Sequence, residues 1–188
     1  MATILVTQAL ISLAEAKEHL DITTAYTTDD NLIEGYINAA TNIIELYCNR
    51  YFVKRSAANV EYHSVDGSNK IFVNFGPIDS AIVYDVEDSA TITSTEYHIN
   101  KAQGYIEKDS GNWTDGVERY KITYTPGDCA ATTNVTYDVK LAAKLLVADF
   151  YRHREELTSE SIGDYRYQKD KDLPFGIKGI LSTWRLPR

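Results

Sequence analysis

Residues 138–155, DVKLAAKLLVADFYRHRE, combine helical apolar spacing with the absence of Gly and Pro over eighteen positions. Apolar residues recur at steps of three and four, which places them on one face of a helix. Burying large apolar side chains contributes about 1.5–3 kcal/mol each, so packing outweighs surface charge pairs in positioning this helix. We therefore expect a central core helix. Its predicted inner face comprises Val139, Ala142, Ala143, Leu146, Val147 and Phe150, widened by Leu141 and Leu145.

Two further helices are predicted before residue 50. Ser12 and Glu15 have the spacing of a capping box, which predicts a helix over about residues 13–20. Thr28, Asp29 and Asp30 offer a cap and negative charge for a second helix ending near residue 47 or 49. We predict that its inner residues are Leu32, Ile33, Tyr36, Ile37, Ala40, Ile43, Ile44 and Tyr47, with Asn31, Glu34, Asn38, Thr41, Asn42 and Glu45 facing outward.

From residue 51 the apolar period changes to two and turn residues become frequent, which indicates strands. A small antiparallel β module is therefore expected between the helices. Its predicted strands are residues 51–54, 60–64, 70–75, 81–86, 97–100, 105–107 and 120–124.

The chain after the central helix changes character. Residues 157–173 are polar and charged and indicate a mobile loop or arm. Pro174 then opens a predicted short helix with an apolar set of Phe175, Ile177, Ile180, Leu181 and Trp184. The predicted fold class is α+β, a small helical bundle with an inserted antiparallel β module. The predicted divisions are a helical core of residues 1–50 and 135–156, a β module of residues 51–134 and a C-terminal arm of residues 157–188.

The formal charge of −8 argues against a general nucleic-acid binder, because phosphate contacts require clustered Lys and Arg. The charge is uneven. Residues 1–151 hold 11 basic and 21 acidic residues, whereas residues 152–188 hold 8 basic and 6 acidic residues. The basic tail fits either docking on an acidic partner or simple solvation.

No catalytic constellation is evident in the sequence. The four histidines are isolated, the glycines form no phosphate-binding motif, and neither Cys48 nor Cys129 has metal-ligand or nucleophile spacing. We therefore expect no enzyme activity, no cofactor and no metal. The opening residues, MATILVTQALISLAEA, lack a basic leader and no apolar run reaches membrane length, so a soluble, unexported protein without membrane contact is expected.

Several motifs in order along the chain resemble the tailed-phage head-tail connector proteins, also called adaptor or head-completion proteins. Residues 10–20, LISLAEAKEHL, are similar to the opening helix of that family, and residues 29–41 and 44–52 are similar to its second helix. Residues 76–84 and 120–127 resemble strands of the longer members. Residues 140–155 and 176–185 resemble the closing helices, including the ending GIKGILSTWR.

This resemblance implies a structural virion protein at the neck, assembled in the host cytoplasm. It implies a homo-oligomeric ring, a dodecamer, which joins the portal protein after DNA packaging and presents a platform for the stopper or tail-completion protein. DNA passes through the lumen without specific binding. The residues that the resemblance implies for portal contact are Tyr165, Arg166, Tyr167, Phe175, Ile177, Ile180, Leu181, Trp184 and Arg185.

The acidic bias of residues 85–118 suggests a use within such a ring, because carboxylates facing the lumen repel DNA phosphates. The hypothetical channel-lining residues are Asp85, Glu87, Asp88, Glu96, Glu107, Asp109, Asp115 and Glu118. Two alternatives stay open. Trp184 fits intramolecular packing as well as portal contact, and the whole chain fits a small prophage-encoded regulatory module or assembly chaperone that forms no ring.

Overall fold

The computed structural model of the protein describes residues 5–153 and 173–186, and within them the chain is mixed α+β. The helices are α1 (Leu13–His19), α2 (Asp30–Cys48), α3 (Tyr137–Arg152) and α4 (Phe175–Leu181), with 3-10 turns at Thr132–Asn134 and Ser182–Trp184. The strands are β1 (Asn59–Val65), β2 (Lys70–Phe72), β3 (Ile78–Asp85), β4 (Ala90–Thr91), β5 (Tyr97–Asn100), β6 (Tyr105–Lys108) and β7 (Gly116–Pro126).

The chain divides into two compact units. A helical unit comprises Met1–Cys48 and Thr132–Trp184, and a β unit comprises Asn49–Ala131 and Arg185–Arg188. The β unit is therefore inserted between α2 and α3, and α4 belongs to the helical unit. The predicted three-part division, with residues 157–188 as a separate arm, stays a prediction.

Helix α3 contacts each of the other three helices. Val139, Ala142, Ala143, Leu146 and Val147 are buried, as predicted, and Ala148 joins them. Phe150 is half-buried, with its ring centroid 5.8 Å from that of Tyr36. Leu145 is 38% exposed, so its predicted place on the apolar face is wrong. At 100° per residue it lies beyond the stripe centred on Ala143 and Leu146.

Helix α1 begins with the predicted capping box. The Glu15 backbone N–H donates to the Ser12 hydroxyl at 3.2 Å, and the Ser12 backbone N–H donates to the Glu15 carboxylate at 2.8 Å. The second carboxylate oxygen of Glu15 accepts from Lys140 of α3 at 2.9 Å, which ties the helix start to α3. This local signal was sufficient to place the helix start.

Helix α2 is rotated relative to its predicted orientation. Thr41 and Glu45 were predicted to face outward but are buried, whereas Leu32 was predicted to face inward and is 39% exposed. The cause is the segment before α1, in which Leu10 is fully buried and its backbone N–H donates to the Thr41 hydroxyl at 3.2 Å. The buried side of α2 comprises Ile33, Ile37, Ala40, Thr41, Ile44, Glu45 and Cys48.

The β unit contains two antiparallel sheets. One has the strand order β1-β7-β3-β4 and the other the order β2-β6-β5. Residues from the inner faces of both sheets line one hydrophobic core, together with Trp113, whose ring packs edge-on against Tyr120 at 5.1 Å. Other core members are Ile71, Val73, Ile78, Val83, Tyr97, Ile106, Ile122 and Tyr124.

One predicted strand was wrong and one short strand was missed. Residues 51–54 form no strand, because their surroundings offer only isolated parallel bridges, Arg50 with Gly76 and Val53 with Cys129. Strand β4 was not predicted, since two residues are too short to show an alternating pattern. The predicted strand at residues 97–100 matches β5, and the other predicted strands occur with shifted ends, of which the largest shift is the extension of β7 back to Gly116.

Candidate interaction surfaces

The predicted portal-contact residues that the structure describes differ in their burial. Ile177 and Leu181 are buried within the helical unit, Ile180 and Trp184 are half-buried, and Arg185 is exposed. Phe175 opens α4, but its side chain lies outside what the structure describes, as do Tyr165, Arg166 and Tyr167. Helix α4 therefore packs into the helical unit, and only some of the predicted contact residues remain accessible to a partner.

Helix α4 is held in the helical unit by packing and by one contact of a thiol. It contacts α3, and the fully buried Cys48 lies with its Sγ 3.9 Å from the backbone carbonyl of Leu181. Sulfur is a weak hydrogen-bond donor, so apolar burial of Ile177 and Leu181 supplies most of the stabilisation.

The last described residue, Leu186, is held within the β unit. Its backbone carbonyl accepts from the Asn49 side-chain amide at 3.1 Å. Its side chain lies against Gly76, where an added Cβ would be 2.6 Å from the Leu186 Cδ1 atom. A side chain at residue 76 would displace the end of the Leu186 side chain.

The structure gathers three of the eight predicted channel-lining carboxylates around one guanidinium. Arg119 donates to Asp85 at 2.9 Å, to Glu87 at 2.6 Å and to Asp88 at 2.8 Å. Asp85 is buried and also accepts the backbone N–H groups of Glu87 and Asp88, which fixes the turn after β3. Sequence reasoning missed Arg119 because it lies one residue beyond the acidic range.

Two further members of that set meet at the exposed imidazole of His98. Its Nδ1 lies 2.9 Å from Asp109 and its Nε2 lies 3.2 Å from Glu107. Lys70 approaches Glu107 from the other side at 3.7 Å. The hydrogen bond that the His98 imidazole donates to Asp109 raises the pKa of His98, and the negative charge of Glu107 raises it further. This group is a mixed-charge cluster and not a continuous acidic surface.

The remaining three predicted channel-lining residues, Glu96, Asp115 and Glu118, are separate and exposed. Glu118 has a left-handed backbone with φ of 50°, and its N–H donates to the Ser64 hydroxyl at 2.8 Å. The eight residues therefore do not form one site.

A polar network at the edge of the β-unit core centres on Glu61. Its carboxylate accepts from the Tyr124 hydroxyl, contacts His63 at 3.0 Å and accepts the backbone N–H of Asn74 at 3.0 Å. Burial alone would raise the pKa of Glu61, but these hydrogen bonds outweigh burial and lower it. Burial and the neighbouring carboxylate raise the pKa of Tyr124.

The outer face of the four-stranded sheet was also missed. In one cross-strand row Thr123 lies between Val60 and Ile82, and in the next Lys121 lies between Tyr62 and Tyr84. Val60, Tyr62 and Ile82 are each more than half exposed. We name this surface the Lys121 face; it comprises Val60, Tyr62, Ile82, Tyr84, Lys121 and Thr123. The alternating sequence predicts such a face, but only the register brings these residues together.

Within residues 5–153 and 173–186, no group of three His, Cys, Asp or Glu side chains is placed to hold a metal ion. Among the described helices, none has the length and apolar character needed to cross a membrane.

A family model described as head completion protein matches residues 9–186. The fold is similar to a chain in the neck of an empty gene transfer agent particle computed with C6 symmetry, with a TM-score of 0.68, 20% identity and coverage of 99% of this chain and 94% of that one. A chain in the virion of the native particle gives a TM-score of 0.68 at 19% identity, with the same coverage. The neck of the native particle computed with C12 symmetry gives 0.66 at 19% identity, covering 99% and 93%. A comparison with curated protein sequences gave no match.

Proposed function

The chain belongs to the head completion protein family, and from this premise we propose that it is the adaptor that joins the portal to the tail side of a phage-type particle. Family membership makes it a structural protein of virion assembly and not an enzyme. The observation that carries the proposal is the match of the family model to nearly the whole chain, both units included.

The proposed assembly is a ring of twelve copies in the virion neck, formed under the portal after DNA packaging. Support comes from the similar fold of chains in particle necks computed with C6 and C12 symmetry. The bundle arrangement implied by the family is supported by the contacts of α3 with α1, α2 and α4. The ring would present a platform for the stopper or tail-completion protein.

Portal contact is proposed for the C-terminal part of the chain, with Trp184 and Arg185 as the described residues that carry it. Large aromatic and Arg side chains dominate binding energy at protein interfaces. Ile177 and Leu181 instead hold α4 in the helical unit, so their contribution to portal binding would be indirect. Tyr165, Arg166 and Tyr167 remain predicted contacts.

The proposed lumen role is best supported for carboxylates that keep an exposed charge, namely Glu87, Asp88, Glu96, Asp115 and Glu118. One guanidinium against three carboxylates leaves the Arg119 cluster negative, so it still repels phosphate. Asp85 is enclosed by that cluster and is a weaker candidate.

The test is deletion of the gene from the phage that encodes it. We expect heads that package DNA but lose it and carry no tails, with full rescue by the wild-type gene. Trp184→Ala combined with Arg185→Glu should rescue poorly, whereas Tyr137→Ala, which removes a 74% exposed aromatic ring from α3, should rescue normally. Tailed, DNA-filled particles from the deletion strain would refute the adaptor function, and the chaperone alternative would be supported if the chain aids assembly but is absent from particles.

A further inference from the structure

The Lys121 face is apolar except for a single charge. The register places Lys121 in the middle of the β1-β7-β3 surface, with tyrosines on both neighbouring strands. Its ammonium makes no ion pair with any side chain in the described ranges. Contiguous exposed apolar residues of this kind mark interaction sites, and a lone central cation specifies a partner that supplies a carboxylate.

The outer face of the three-stranded sheet carries the mixed-charge cluster around His98. There Glu107 lies between Lys70 and His98 in one cross-strand row, and both basic groups approach its carboxylate. Tyr105 lies between Phe72 and Asn100 in the next row. Phe72 is 40% exposed and packs on Tyr105 at 5.2 Å. We name this surface, with Asp109, the Glu107 face. It sets two carboxylates, each shared with a basic group, beside the exposed Phe72 ring, while Tyr105 beneath that ring is buried.

The two faces point away from each other. Ile71 and Ile106 from the inner side of one sheet and Val83 and Ile122 from the inner side of the other lie in the same core cluster. The outer faces therefore lie on opposite sides of the β unit. A cyclic assembly uses two different patches of each subunit, which must lie on different sides for the ring to continue from copy to copy.

We propose that the Lys121 face of one copy binds the Glu107 face of the next, with the Lys121 ammonium on the carboxylates of Glu107 and Asp109 and the Val60 and Ile82 side chains against Phe72. This inference rests on the proposed ring and names its subunit contact. It also moves Glu107 and Asp109 from the lumen to the subunit interface. The occupant is a second copy of this chain because its own opposite face supplies two carboxylates, which Lys121 would share with Lys70 and His98, and the exposed Phe72 ring.

Zero-length carbodiimide cross-linking of assembled particles tests the contact without any mutation. Lys121 should be joined to Glu107 or Asp109, and mixing isotopically light and heavy chains should show that the link joins two copies. A link within one copy is excluded, because the core separates the two faces. If the chain is recovered from particles with copies cross-linked elsewhere and without a link from Lys121 to these carboxylates, the proposal is overturned.

Charge exchange provides the second test. Lys121→Glu should raise the concentration needed for half-maximal assembly onto portal-bearing heads by about a hundredfold, since like charges at an interface cost several kcal/mol. The pair Lys121→Glu with Glu107→Lys should restore most of the loss. Lys144→Glu makes the same charge change on α3 and should assemble normally. Normal assembly of Lys121→Glu overturns the proposal. Because Glu107 also contacts Lys70 and His98 within its own copy, thermal unfolding of the Glu107→Lys chain is measured as well, and no rescue by a normally folded pair overturns the proposal too.

The two proposals fail differently. If wild-type chain is absent from particles, the adaptor function fails and the subunit contact fails with it. If the chain is present as a ring and Lys121→Glu still enters particles normally, only the subunit contact fails, and the Lys121 face then binds another protein or none.

Discussion

The backbone N–H of Leu10 donates to the side-chain hydroxyl of Thr41 at 3.2 Å, across thirty-one residues of sequence. Both residues are buried, so solvent water cannot take the place of the Thr41 hydroxyl as the acceptor for the Leu10 N–H. It joins the segment before α1 to the middle of α2 and sets which side of α2 faces the core.

Replacing Thr41 with Val should therefore destabilise the helical unit by about 1–3 kcal/mol, since it leaves the Leu10 N–H buried without an acceptor. Thr41→Ser keeps the hydroxyl and should cost much less. Urea denaturation followed by far-ultraviolet circular dichroism measures both variants. Equal midpoints for Thr41→Val and wild type would contradict the assigned role of this bond.

Asp85→Ala should destabilise the β unit by about 3 kcal/mol, because it removes a buried partner of Arg119 together with the acceptor of two turn N–H groups. Asp88→Asn is the matched control. Its side chain is 70% exposed, and exposed ion pairs contribute at most about 1 kcal/mol. The thermal unfolding midpoint should fall much further for Asp85→Ala than for Asp88→Asn. Similar decreases for the two variants would mean that the cluster is not organised around Asp85.

Glu61 should make the β unit sensitive to acid. Its folded-state pKa is lowered below the ordinary value of 4.5, so its stabilisation is complete above about 4.5 and is lost as the pH falls through the lowered value. Glu61→Gln removes this titration, and its stability should fall less steeply between neutral pH and pH 3. The measurement is the denaturation midpoint of each protein at several pH values in that range. If the midpoints of the two proteins fall in parallel with pH, Glu61 does not titrate there.

Gly76→Ala should destabilise the β unit by about 1 kcal/mol, since the added methyl group displaces the end of the Leu186 side chain and lies 3.3 Å from the Gly104 Cα atom. In a Leu186→Ala background the same change should cost less, because the space is then free. Gly179→Ala is the control: it lies in α4 with nothing within 4 Å of the added carbon, and it should stabilise by roughly 0.5–1 kcal/mol. Additive losses in the double variant would contradict the proposed overlap.

Local signals predicted much of the fold. The capping box at Ser12 and Glu15 acts over three residues, and the apolar period of α3 is intrinsic to its own sequence, so both were found. The orientation of α2 was wrong because Thr41 serves a backbone group that precedes α1. No pattern within α2 carries that information. As a result, Thr41 was predicted to be exposed and is buried, and Leu32 was predicted to be buried and is exposed.

The candidate surfaces were harder to predict for a related reason. Side chains on a sheet face become neighbours only through register, which brings Lys121 between Tyr62 and Tyr84 and Glu107 between Lys70 and His98. The sequence shows the acidic bias of this region. It does not show that some of these carboxylates gather around Arg119 and others around His98. For Ile177 and Leu181, apolar character alone does not distinguish a core residue from an interface residue, and burial of both is known only from the packing of α4.

The enclosed position of Cys48 gives the protein an intrinsic reporter of C-terminal opening. Its thiol is fully buried next to the Leu181 carbonyl, whereas Cys129 is partly accessible. Under conditions where α4 closes faster than a thiol reagent reacts, the alkylation rate of Cys48 measures the fraction of time that α4 is detached. Following that rate as the chain joins a head would show, without any added label, whether attachment locks α4 in place or draws it away.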